Sequence, residues 1–555
     1  MAIGSRTSPA GLRPAWVPWV VPSAGDLIFA ALLGLLAFTT LSVRLLGDAG
    51  IGWHIRTGQL ILATHAIPRV DPFSATAFSA TTGRAWFAWE WLYDVLVGWL
   101  DSAVGLNGVV LFTALVIAAV FAWTFRLLLR RGTNILLALL LVLLAASAAM
   151  IHFLARPHVV SWLFTVAWFS ILDSSERICW SSDSKSCATS NTNSRRARML
   201  WLLPPLMLVW VNVHGGFLLG FALLAIYWCS AAWQWLRPSG DRFDDVLRKI
   251  RAGRLFRILT LTGILCGLAT LINPYGFQLH VHIYRYLTNR FLMDHINEFQ
   301  SPNFHYVAQK CFAGLLLLTL VALALKKREA GRARASQALI ILFAVYSGLY
   351  ASRNIPVSSL LLILVIGPWL SQAMERFWHR RQGERGFAFP QFLQRMERIE
   401  FGLRGHLWPI AMVLLTCWVA AHGGKLGAKP LMDAHFDAKR FPAAAVDYLT
   451  KEAVQGPLVS PDDWGGYLIY RLYPQVHMVI DDRHDFYGEE FLKSYLKMVQ
   501  AQAGWQDFLQ QSRAHCVVVP KDSALANLLE ETAGWKAIYG DEVATVFVRT
   551  APWSE

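Results

Sequence analysis

Charge is what this chain has least of. Only 16% of its 555 residues are Asp, Glu, Lys or Arg, against about 25% in a soluble globular protein, and that excludes a water-soluble fold along most of its length. The seven cysteines form no C-x-x-C pair and mostly lie in or near apolar runs, so neither a disulfide framework nor a thiolate metal site is indicated. The net charge of +14 comes with no zinc-finger spacing or other nucleic-acid module, so nucleic acid is not an expected partner. No small-residue cleavage site follows a short apolar core near the start. Residues 1–25, with Arg6, Arg13 and several prolines, therefore read as a cytoplasmic tail before an uncleaved span. No internal repeat and no pair of broken apolar segments appears, which argues against an inverted-repeat transporter.

What is present is apolar and aromatic. Hydrophobic residues make up 55% of the chain, with 24 Trp and 32 Phe. Apolar runs near the roughly 20 residues needed to cross a bilayer centre on 27–46, 107–128, 134–151, 158–173, 200–212, 216–236, 257–273, 311–325, 336–352, 356–371 and 406–422. The expected fold is mainly α, a polytopic membrane helix bundle of about eleven spans over residues 26–423. Residues 87–105, also apolar and aromatic, read either as an interfacial helix or as the start of the second span. Residues 430–555 have soluble composition. There β-branched runs (GPLVSP, VHMVIDD, HCVVVP, ATVFVR) alternate with helical stretches, which predicts a small α/β domain.

The excess Lys and Arg falls in alternate connectors: Arg130 and Arg131; Arg195, Arg196 and Arg198; Arg248, Lys249, Arg251 and Arg254; Lys326 to Arg334; and Arg380 to Arg398. By the positive-inside rule these lie in the cytoplasm. The N-terminus is then inside, and the first long loop (47–106) and residues 430–555 are outside. Stretch 174–199, rich in Ser, Asn and Arg, reads as a flexible cytoplasmic loop.

The other set of connectors holds the chemistry. The first loop carries Asp48, His54, Arg56, Asp71, Glu90 and Asp94; later connectors add Arg156 and His158, Asn212 and His214, Glu298, and Arg353. Ionisable groups at span ends are costly unless paired or solvated, so a set gathered on one face is a functional candidate. Asp48, in G-D-A-G, suits a base that takes a proton from an acceptor hydroxyl, and equally suits the cap of a helix starting near Gly52. Asp71, in V-D-P-F-S, shapes a turn with Pro72. Glu90 reads as a second acid of the catalytic region, or as a polar position on an interfacial helix. No two of these acids form a D-x-D pair, so the metal signal is weak.

These residues carry a resemblance. The layout resembles the GT-C superfamily of integral-membrane glycosyltransferases, which have many spans, an acid shortly after the first span, and often a soluble C-terminal domain. G-W-H-I-R-T-G (52–58), I-P-R-V-D-P-F-S (67–74), W-F-A-W-E-W-L (86–92), R-P-H (156–158) and D-D-R-H-D-F-Y (481–487) are similar to a bacterial family of multi-pass proteins related to GT-C enzymes. The resemblance implies inverting transfer of a sugar from a polyprenyl-phosphate donor at the outer face of a bacterial inner membrane. Asp48 matches the superfamily's first-loop acid by place. The usual tandem acid is missing, which leaves a divalent ion (Mg or Mn) an open expectation.

P-D-D-W-G-G-Y-L-I-Y (461–470) with V-I-D-D-R (479–483) resembles, in altered order, segments that hold the acceptor peptide in oligosaccharyltransferase catalytic subunits. That implies acceptor-side roles for Asp463, Trp464, Asp482 and Arg483. The plainer reading is a glycine turn opening a helix after a strand, with Asp462 or Asp463 as cap. For a lipid-phosphate donor the candidate cations and contacts are His54, Arg56, Arg156, His158, His214, Glu298 and Arg353, with Asp48 and Glu90 as the catalytic acids. The alternatives are a non-catalytic scaffold or a transporter handling lipid-linked glycans. An O-antigen ligase or polymerase type is a further alternative, weighed down by the acid-bearing first loop.

Overall fold

The computed structural model describes residues 16–75, 85–180, 198–238, 243–326, 334–381, 388–403 and 405–553. Each apolar run read from the sequence coincides with a helix. Among the described residues seven helices are long and apolar enough to cross a membrane, or eight if the bent pair Gln391–Gly402 and Leu407–Ala421 is one span. The remaining runs are helices that are short, such as Leu203–Val213 and Ala335–Tyr350, or charged at one end, as is His158–Trp180 with Asp173, Glu176 and Arg177. Outward faces are apolar: Leu136, Leu139, Leu140 and Leu143 form an exposed stripe on Ile135–Ala149. An apolar face pointing outward suits a hydrocarbon surround and not water.

Local sequence sets the helix starts. Ser23 opens Ala24–Phe38 with a capping box, its hydroxyl accepting from Asp26 N–H while the Asp26 carboxylate accepts from Ser23 N–H. Val17–Val20 is already a turn of helix where a tail was expected. Helix His158–Trp180 runs into the stretch read as a loop, and residues 181–197 lie outside the described set.

Helix His158–Trp180 also separates two polar regions. At its C-terminal end Asp173 meets Arg131, Arg177 at 2.8 Å and Arg334 at 2.9 Å, and Glu176 accepts from Ser230 and Ser336 hydroxyls at 2.6 Å each. Four helices are tied there, at the end where the basic connectors emerge. Its N-terminal end, at Arg156 and His158, lies on the side of the first long loop.

That loop is structured. Helix Gly50–Thr64 packs against Trp91–Val104, so the segment 87–105 resolves as an amphipathic helix of the loop and not as a span. Residues 273–310, read only as a connector, contain helices Gln278–Thr288 and Arg290–His295. In the C-terminal domain strands β1 (Leu458–Val459), β2 (Cys516–Pro520), β3 (Trp535–Gly540) and β4 (Ala544–Arg549) form one sheet in the order β1-β2-β4-β3. β1 and β2 run parallel; the other pairs are antiparallel. The VHMVIDD run is not a strand of this sheet. Met478 instead makes single bridges to Leu458 and to Ser74 of the first loop.

The domain is seated on that loop by close backbone contact. A Cβ on Gly52 would overlap the Gly466 carbonyl, and one on Gly466 would overlap the Ala49 carbonyl. Glycine at both positions is therefore what lets helix Asp462–Leu472 lie against the start of Gly50–Thr64. The two glycines of W-G-G sit inside the helix, packing it, and do not form the turn expected before it.

Candidate functional site

The seam between loop and domain gathers charge. Arg156 Nη2 donates to Asp482 Oδ2 at 2.5 Å, and its Nε lies 3.1 Å from Asp48 Oδ1. The Nε contact is an ion pair by distance only: its N–H is not aligned as a hydrogen bond. Asp48 Oδ1 also accepts from Gly50 N–H at 2.8 Å, and Asp482 Oδ1 accepts from the Trp53 indole at 3.0 Å. The helix-start reading of Asp48 is met in part. It satisfies a free N–H at the start of Gly50–Thr64, and it faces the guanidinium. A side chain at position 50 would collide with Asp482, Arg156 and Asp48 together, which accounts for the glycine. Burial pushes the Asp482 carboxyl up; Arg156 opposes this, and the charges of Asp48 and Asp481 add to it.

A second group surrounds Glu90. Its Oε2 lies 3.7 Å from His54 Nε2 and its Oε1 lies 3.8 Å from His214 Nε2. The tautomers follow from the partners. Trp210 donates to Ser161 Oγ at 2.7 Å, leaving the Ser161 hydroxyl to donate to His214 Nδ1 at 2.8 Å, and Gly216 N–H donates to the same nitrogen at 2.9 Å. With Nδ1 accepting, Nε2 of neutral His214 carries the hydrogen. His54 Nδ1 is held 2.5 Å from Asp94 Oδ1, and burial pushes this carboxyl well up and this imidazole well down. With the proton on the Asp94 side of this contact, the direction in which burial pushes both groups, His54 also turns an Nε2–H toward Glu90. At 3.7–3.8 Å neither hydrogen is close enough to stabilise a carboxylate. Burial decides instead and pushes Glu90 up to about 8, against the opposing field of Arg156.

A third pair lies within electrostatic reach. Arg353 stands 3.8 Å from Glu298 and over the Phe299 ring. Burial alone would raise Glu298, but Arg353 and Arg156 outweigh it and hold the carboxylate down at about 2. Glu90 and Glu298 thus both feel both guanidinium groups.

Other sequence candidates stand apart. Arg56 donates to the Tyr470 carbonyl and to Gln59 Oε1, so it satisfies the end of helix Asp462–Leu472. His158 Nε2 donates to the His152 carbonyl at 2.9 Å. Trp464 donates to the Arg440 carbonyl, and Asp463 sits in the first turn of its helix. The cap expected of Asp462 is absent: its carboxylate meets His484 Nε2 at 2.6 Å and the Tyr495 hydroxyl at 3.0 Å. Arg483 is buried between Asp481 at 2.6 Å and Asp71 at 2.7 Å. It clips the domain to the loop, and Asp71 also accepts from Phe73 and Ser74 N–H in the expected turn. Removing one member of such a buried pair costs about 3–5 kcal/mol.

Two further acids belong to the site: Asp94, named in the first loop but given no role, and Asp485, which the sequence does not single out. Asp94 lies on the buried stripe Tyr93, Asp94, Val97, Gly98, and a carboxyl on an apolar stripe is the signal that marks it. Asp485 pairs with His282 at 2.9 Å, and His282 stacks on Phe87 at 4.6 Å. That partnership has no local sign. Among the described residues no three His, Cys, Asp or Glu side chains gather as metal ligands.

No protein-family model and no curated protein sequence matches the chain. Its structure is similar to the oligosaccharyltransferase of Archaeoglobus fulgidus tethered with an acceptor peptide containing the NVT sequon. The TM-score is 0.55 at 12% identity, over 89% of this chain and 68% of that one. ArnT from Cupriavidus metallidurans, solved in the apo state and bound to undecaprenyl phosphate, scores 0.49 at 13% identity over 94% of this chain and 97% of that one. At such identity the oligosaccharyltransferase likeness is one of fold: the chain is a multi-pass membrane protein with a GT-C-like helix bundle and a small C-terminal sheet domain.

Proposed function

We propose that the chain transfers a sugar, with inversion, from a polyprenyl-phosphate donor to a lipid, glycan or protein acceptor at the extracytoplasmic face of a bacterial inner membrane. The observation that carries the reading is the Arg156 guanidinium held between Asp48 and Asp482, an acid and a cation joined where the spans meet the domain. The alternation of basic and neutral connectors supports the orientation, with the N-terminus inside and residues 430–555 outside.

In this reading the donor phosphate binds beside the Arg156 guanidinium, with Arg353 as a second cation. Asp48 has 27% of its side chain exposed, the most open of the three charged groups. Its free Oδ2 accepts the acceptor hydroxyl's proton as the hydroxyl oxygen bonds to the anomeric carbon. The bond from that carbon to the phosphate oxygen breaks, and the lipid phosphate leaves with the electron pair. The transition state resembles an oxocarbenium ion, so the ionised Glu298 lends electrostatic support. Glu90, neutral at pH 7, donates a hydrogen bond to a sugar oxygen.

The test is Asp48→Asn. Asn keeps an oxygen for Gly50 N–H but removes the base, so transfer by purified protein in nanodiscs should fall by about 100-fold or more. Near-normal transfer by this variant sinks the assignment. No transfer by wild type across a broad donor panel favours the scaffold reading.

A further inference from the structure

The GT-C resemblance leaves a divalent cation beside the first-loop acid as an open expectation. We infer that the Arg156 guanidinium occupies that place, and that Asp48 and Asp482 are partners of a resident organic cation and not ligands of a metal ion. The donor set decides against a metal. A hard divalent ion collects about six oxygen ligands and needs their lone pairs. Here Asp48 Oδ1 accepts from Gly50 N–H and faces Arg156 Nε, Asp482 Oδ1 accepts from the Trp53 indole, and Asp482 Oδ2 accepts from Arg156 Nη2. Three of the four carboxylate oxygens thus meet N–H hydrogens, which repel a cation. Only Asp48 Oδ2 remains outside this set.

The donors are also fixed in place. The Trp53 side chain and the Gly50 backbone belong to helix Gly50–Thr64, which Gly466 holds against the domain. A cation could not enter without displacing Arg156 from between the two acids, and the absence of a Cβ at Gly50 is what makes room for that guanidinium. One fixed positive charge beside two carboxylates also does a metal's electrostatic work: it keeps the acids together and offers hydrogen-bond donors to an anion.

The inference concerns the same site as the transfer reading and rests on it only for substrate. Its test is binding, which keeps the two apart. The full-length protein in detergent is stripped with chelator and titrated with Mn²⁺, and free Mn²⁺ is followed by electron paramagnetic resonance. The wild type should show no site tighter than about 1 mM that depends on Asp48 or Asp482. Arg156→Ala frees Asp482 Oδ2 but leaves the Gly50 and Trp53 N–H donors in place, so it too should show no Mn²⁺ site tighter than about 1 mM. Stoichiometric binding by wild type that is lost in Asp48→Asn or Asp482→Asn overturns the inference. The wild-type titration decides the matter even if Arg156→Ala fails to fold. A protein that binds no manganese and transfers no sugar keeps this inference and loses the transfer reading.

Discussion

Glu90→Gln should stabilise the protein, and increasingly so as pH rises. Burial holds Glu90 at about 8 in the folded chain, against an ordinary value of 4.5. Between those values the unfolded chain has released its proton while the folded chain keeps it. Stability is therefore full below pH 4.5 and falls as pH rises toward 8, by about 1.4 kcal/mol per pH unit. The loss reaches roughly 3 kcal/mol at pH 7 and roughly 4–5 kcal/mol above pH 8. The side chain is only 11% exposed, so solvent screening does not erase this. Gln keeps the shape and cannot ionise. The window to use is pH 7–8.5, above the ordinary histidine value of about 6.5, where an unfolded histidine is largely neutral. His54 and His214, both pushed down by burial, are then neutral in the folded and unfolded chains alike and add little slope. Thermal unfolding in detergent, followed by tryptophan fluorescence at fixed scan rate, should show a wild-type midpoint that declines across the window. The Gln variant should be flatter and higher by a few degrees. Parallel curves would refute the reasoning, because they would mean the two Nε2–H groups close on Glu90 and hold it ionised.

Gly466→Ala should unseat the domain. The new methyl meets the Ala49 carbonyl, and overpacking of that kind costs about 1–3 kcal/mol. Limited proteolysis should release residues 430–555 faster, whereas Gly267→Ala, in a helix with open space around the position, should leave the digestion unchanged. For topology, a reporter fused behind residues 430–555 should be active only when it functions outside the cytoplasm; activity of a cytoplasm-only reporter there would reverse the orientation.

The helices were legible because crossing hydrocarbon demands an apolar run of set length, and that demand is written locally in each segment. The stop at Asp48, the turn at Asp71 and the alternation of strand and helix after residue 430 are local in the same way. What remained hidden was partnership. Glu90 and Asp94 are four residues apart in a loop already marked as polar, but nothing in that segment tells that His54 and His214 face them from other elements. Arg156 and Asp482 are separated by 326 positions. W-G-G reads as a turn because glycine's freedom is a local property, but its use here is nearness to another backbone, which no local property encodes. The sequence by itself thus determined that this is a membrane helix bundle with polar chemistry at one face. Only the tertiary structure decided which acid faces which cation, since charge pairing in a buried seam depends on distances that the chain order does not contain.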